Sequence, residues 1–163
     1  SSSYSSYGSD STSPTSTASS GGKAWAESIA RGLGFTGPIV WDDGAGYCAS
    51  GLTTPDGTIH LGACIADGSA GSRYVVIHEV GHILGYEGCS LWKIDHSRSV
   101  KTDSGGTQYL TQIEWIAREN GAGGGRWGEV ATDYWAYQNG APYGFSSYPD
   151  VPGWLSSALD SCG

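Results

Sequence analysis

One segment constrains this chain more than any other. Residues 72–84 read Ser-Arg-Tyr-Val-Val-Ile-His-Glu-Val-Gly-His-Ile-Leu, an apolar-periodic run that predicts an α-helix. It carries His78, Glu79 and His82 in the order His-Glu-x-x-His. Helix positions four apart share a face, with about 5–6 Å between their Cβ atoms. Both imidazoles can therefore reach one metal ion at about 2.0–2.1 Å. Glu79, one residue on, projects about 100° around the helix axis. That direction suits a base that takes a proton from water beside a metal rather than a ligand. Chance would give this pattern in about 0.3% of chains with this many His and Glu.

The segment His-Glu-Val-Gly-His-Ile-Leu-Gly resembles the active-site motif of the zincin metallopeptidases. The resemblance implies a Zn²⁺ ion, a water molecule and Glu79 as general base. It leaves the third protein ligand to be found. In the metzincin group the motif continues to a glycine, which Gly85 matches, and then to a third ligand, where this chain has Gly88. That group also has a methionine turn beneath the metal, and this chain contains no methionine. Glu87, Asp95 or His96 would have to serve such a variant. In the gluzincin, thermolysin-like group a downstream helix supplies Glu-x-x-x-Asp. Here Glu129 to Asp133 reads Glu-Val-Ala-Thr-Asp, and of the six glutamates only Glu129 has an acid four places on. The resemblance then implies His78, His82 and Glu129 as zinc ligands. The physics agrees, because spacing of four puts both carboxylates on one helix face. Asp133 would accept the outer N–H of a zinc-bound imidazole and fix its tautomer.

Around this motif the chain is expected to be α+β: a compact zincin-like domain with a small sheet and an active-site helix. Helices are predicted over 23–33, 72–84, 107–120, 127–137 and 154–159. Strands are predicted over 38–41, 46–49 and 58–61. In zincins an edge strand before the active-site helix pairs with extended substrate, and 58–61 holds that place in the sequence. Residues 1–22 are different material, mostly Ser and Thr with one charge, Asp10. Such a segment cannot bury enough apolar surface to offset ordering. It is expected to be a disordered, flexible linker or stalk, leaving 23–163 as the catalytic domain. Position 1 is not methionine, so a processed product is expected.

Four cysteines, none in Cys-x-x-Cys spacing, point to disulfides in an oxidising compartment. Of the three connectivities, Cys48–Cys64 with Cys89–Cys162 is favoured. A secreted or surface-tethered protein is expected. Net charge is −8, which argues against a nucleic-acid partner. No apolar run approaches the roughly 20 residues needed to span a bilayer. Asp42 and Asp43 form one acidic turn, too few oxygens for Ca²⁺ by themselves. His60 reads as a surface residue. An oxyanion donor is sought among Tyr134, Tyr137, Tyr143 and His96.

The expectation is a monomeric zinc endopeptidase acting on protein or peptide substrate. Alternatives are a metzincin-like variant, a zinc amidase on cell-wall peptides, and a non-catalytic metal-binding adhesion module.

Overall fold

A computed structural model describes residues 4–7, 20–42, 46, 48–122, 127–141 and 152–162. The architecture is α+β. Helix α1 spans Ser20–Gly32 and leads into strand β2, Ile39–Trp41. Strand β3 is Ser50–Thr53 and β4 is Ile59–Leu61. A tight turn at Pro55–Asp56–Gly57 joins them; Gly57 sits at φ 85°, a left-handed conformation that suits glycine. β4 pairs in parallel with β2 and antiparallel with β3. On the outer edge of β3 lies a further antiparallel strand, β1, Tyr4–Tyr7. The sheet order is therefore β1-β3-β4-β2.

Helix α2, Ala70–Gly88, lies between this sheet and helix α4, Trp127–Gln138. Ser69 caps its N-terminus by accepting from the Ser72 amide. Val75, Val76, Ile77 and Val80 are fully buried with Ile59, Leu61 and Ile65 of the sheet side. A helix buried on nearly every face is usually apolar throughout. This one instead carries His78, Glu79 and His82 inside, so each needs a partner to offset its lost hydration.

After α2 come a short 3-10 turn, Ser90–Trp92, and a two-stranded hairpin, β5 Val100–Lys101 with β6 Thr107–Gln108. Helix α3 spans Gln112–Glu119 and α5 spans Gly153–Asp160. A second apolar cluster, with Trp92, Ile113, Val130, Leu155 and Leu159 in it, holds α3, α4 and α5 together. The disulfides are Cys48–Cys64 and Cys89–Cys162. No helix among the described residues is long and apolar enough to cross a membrane.

Four sequence expectations shift. The strand expected over 46–49 falls at Ser50–Thr53, because the sheet hydrogen bonds start at Ser50 and Cys48 sits in a turn bound to Cys64. The helix expected from residue 107 starts at Gln112. Thr111 caps it and Glu114 bonds back to the Thr111 amide, a capping box that ends the helix there. The strand over 58–61 is internal, not an edge, since β3 and β2 flank it. Within the stretch expected to be a linker, Tyr4–Tyr7 is a strand and Ser20–Gly22 is the first turn of α1. Its remaining residues lie outside the described ones.

Candidate metal centre

The site is built by two helices that pass close together. Gly81, between the two histidines, makes that approach feasible. A Cβ there would lie 2.8 Å from Trp135 Cε3 and 3.1 Å from Thr132 Cγ2 of α4. With α4 this near, its face carrying Glu129, Thr132 and Asp133 meets the face of α2 carrying Tyr74, His78 and His82.

His78, His82 and Glu129 each offer one ligand atom, and these atoms lie within 4.8 Å of one another. The His78 and His82 Nε2 atoms are 3.1 Å apart. Glu129 Oε2 is 2.8 Å from the first and 3.4 Å from the second. Ligands at the corners of a tetrahedron, 2.0–2.1 Å from a zinc ion, stand about 3.3 Å apart. The three atoms therefore span nearly the triangular face such an ion requires, and the donor set of two imidazoles and a carboxylate suits Zn²⁺. Among the described residues this is the one group that meets the geometry for holding a metal.

Each imidazole is oriented through its other nitrogen. His78 Nδ1–H donates to Asp133 Oδ1 at 2.6 Å, and Tyr74 O–H donates to the same oxygen at 2.8 Å. The carboxylate fixes the His78 proton on Nδ1 and leaves Nε2 for a metal. His82 Nδ1 faces Thr132 Oγ1 at 3.4 Å. That hydroxyl donates to the Gly128 carbonyl at 3.0 Å and accepts from Trp92 Nε1–H at 3.2 Å. Its single proton is spent on the carbonyl, so toward His82 it can only accept. The His82 proton is thereby assigned to Nδ1, and Nε2 again faces the metal position.

The electrostatics follow from burial and pairing. Burial opposes the His78 imidazolium, but hydrogen bonds to Asp133 and Glu129 outweigh it and push the pKa up to about 10 in the metal-free chain. Burial likewise opposes the Glu129 carboxylate, and bonds from His78 and His82 overcome it, holding its pKa at about 2. These are one interaction seen from its two ends.

Glu79 projects from the adjoining face of α2, toward the sheet. It is fully buried, at 0% exposure. Its Oε1 accepts from Thr53 Oγ1 at 2.7 Å, and the same hydroxyl lies 3.1 Å from its backbone carbonyl. Gly51 of β3 packs against its stem, where a Cβ would come within 2.7 Å of Cγ.

The five residues singled out from sequence thus fall together: His78, His82 and Glu129 around one point, Asp133 behind His78, and Glu79 on the adjoining face. The rival third ligands stand elsewhere. Glu87 and His96 are exposed, and His96 packs on Tyr109 with ring centroids 5.3 Å apart. Asp95 receives Ser97 and Arg98. Tyr134 donates to Asp160, and that pairing raises its pKa to about 12. Tyr137 is half exposed, and Tyr143 lies outside the described residues. His60 pairs with Asp42 at 3.0 Å on the surface; Asp43 lies outside the described residues. Sequence reading missed Tyr74, Thr132, Trp92 and Thr53. Tyr74 was detectable, being one turn before His78 on the same stripe.

Compared with protein-family models, curated proteins and solved structures, the chain matches none.

Proposed function

We propose that this chain is a secreted, zinc-dependent endopeptidase of gluzincin type. The observation that carries the reading is the convergence of His78, His82 and Glu129 at tetrahedral-edge distances, with the buried carboxylate of Glu79 one residue from the first ligand. Two disulfides support an extracellular setting.

Zinc bound by the three residues would supply a Lewis acid that polarises a peptide carbonyl and lowers the pKa of water to about 7. The chain supplies the proton handling. Glu79 takes a proton from the attacking water and passes it to the leaving amine. Thr53 donates to the Glu79 carboxylate and holds its direction. Asp133 and Thr132 keep both imidazoles in the tautomer that presents Nε2. The sheet and α4 exclude bulk water, which strengthens each of these interactions.

A second reading is a non-catalytic metal-binding module, which the complete burial of Glu79 favours. The two separate on one substitution. Glu79→Gln should keep one zinc per chain by atomic absorption and lose hydrolysis of casein by at least about 100-fold, the scale of a general base. A zinc-loaded wild-type chain that cleaves neither casein nor cell-wall peptide amides would replace the peptidase with the binding module.

A further inference from the structure

The metal chemistry leaves one part of the site unused: the outer edge of β3. This strand touches the proposed base directly, through Thr53 Oγ1 at 2.7 Å and through Gly51, where no side chain fits. An edge strand offers a row of backbone N–H and C=O groups that pair with any extended chain laid beside it. In this molecule the edge is already taken. β1 pairs antiparallel along it, with Tyr4 opposite Thr53, Ser5 opposite Leu52, Ser6 opposite Gly51 and Tyr7 opposite Ser50. The two β3 residues that contact Glu79 are thus each covered by a residue of β1. β1 also lies against α2 itself.

We propose that Tyr4–Tyr7 is a self-inhibitory strand. It holds the edge along which an extended peptide substrate adds, and substrate enters by displacing it. The proposal rests on the peptidase reading above and gives that site its regulation.

The sequence of the segment fits this role. Tyr-Ser-Ser-Tyr carries no charge and no aliphatic side chain, and the backbone pairing that sets its register tolerates many sequences. Four residues are a short strand, and pairing of that length is weak in isolation. What keeps it in place is covalent attachment. Residues 8–19 tether β1 to α1, and a tether of that length presents the strand at an effective concentration of about millimolar. Competition of this kind raises KM and leaves kcat alone, because a chain that has released the strand is fully competent.

The test uses the full chain and its Ser5→Pro/Ser6→Pro variant; the Ser6 N–H faces Gly51 in the ladder and the Ser5 N–H faces outward, so the proline at 6 removes a pairing donor. Ser5→Pro alone is the control and should keep the docking. Equal zinc content checks that the fold is intact. Amide hydrogen exchange at Gly51 and Thr53, whose N–H groups face β1, reads the docking. In the double variant these amides should exchange at least about tenfold faster. KM for oxidised insulin B chain should fall about fivefold or more with kcat within about twofold, as expected for loss of a tethered competitor. A synthetic peptide of residues 1–8 should restore protection and inhibit the variant competitively. Unchanged exchange at Gly51 and Thr53 in the double variant overturns the proposal, as does faster exchange with unchanged KM. If neither chain cleaves the insulin B chain, the peptidase reading fails on its own. The proposal is then read by displacement: insulin B chain must drive fluorescein-labelled peptide 1–8 off the double variant, and failure to do so overturns it.

Discussion

Helix α2 is gripped differently on its two sides. Toward α4 it presents His78 and His82 to charged or saturated partners: Asp133 at 2.6 Å, Glu129 at 2.8 Å, and a Thr132 hydroxyl with every hydrogen-bonding position used. Toward the sheet it presents Glu79 to a neutral hydroxyl and a glycine. The first side is arranged to hold groups still. On the second, the Glu79 carboxylate accepts from the Thr53 hydroxyl and its stem packs on Gly51. A metal ligand and a general base, the roles proposed above, would need opposite treatment, and one helix can give both because successive positions point about 100° apart.

That contrast can be broken most forcefully at Glu129. Glu129→Ala should cut zinc affinity by more than about 100-fold, beyond the range typical of outer-shell changes. Glu87→Ala and His96→Ala should leave it unchanged. Competition with a chromogenic chelator measures all three, and retained zinc in the Glu129 variant would sink the ligand assignment.

A pH series comes next. His78 binds a proton up to about pH 10 in the metal-free chain, and zinc must displace it. Apparent zinc affinity should therefore rise about tenfold per pH unit between pH 6.5 and 9, with release of about one proton. Stability of the metal-free chain follows the opposite course. The His78 pKa is raised from 6.5, so its contribution is whole below pH 6.5 and fades as pH climbs through about 10. The Glu129 pKa is lowered from 4.5, so its contribution is whole above pH 4.5 and fades as pH falls through about 2. Urea midpoints of the metal-free chain should be highest between these limits.

Smaller effects sharpen the comparison. Asp133→Asn should weaken zinc binding about 10–100-fold, the usual cost of losing an outer carboxylate. Thr132→Val should cost less, about tenfold at most, because its bond to His82 is long and neutral; Thr132→Ser should recover it. Gly51→Ala acts only on the other side. It should destabilise the fold by about 1–3 kcal/mol through overpacking against Glu79 while zinc affinity stays unchanged.

The side of α2 that faces α4 was far more legible in the sequence than the side that faces the sheet. His-Glu-x-x-His and Glu-x-x-x-Asp are local patterns on two helices, and helical periodicity alone says which of their residues share a face. Which of the two helices' faces meet depends on Gly81 and Trp135, a long-range fit that no spacing encodes. The surroundings of Glu79 come from β3, which the sequence misplaced by four residues. Gly-Tyr-Cys-Ala has the more strand-like composition, yet Ser-Gly-Leu-Thr forms the strand because β4 and β1 pair with it and Glu79 needs the room at Gly51. The strand at Tyr4–Tyr7 was invisible for a related reason. Its composition argues for solvent, and its order comes from an edge elsewhere in the chain.

The Cys89–Cys162 disulfide has a consequence for assembly of the metal centre. Fifty-one residues separate His78 from Glu129, so the third ligand must find the histidines by closing a long loop. The disulfide begins directly after α2, closes 73 residues of chain, and encloses all of α4. Once it has formed, Glu129 searches a confined volume rather than an open coil. On the zinc reading proposed above, a disulfide formed before metal capture would ease assembly of the centre, and metal offered to the reduced chain would face the open-coil search.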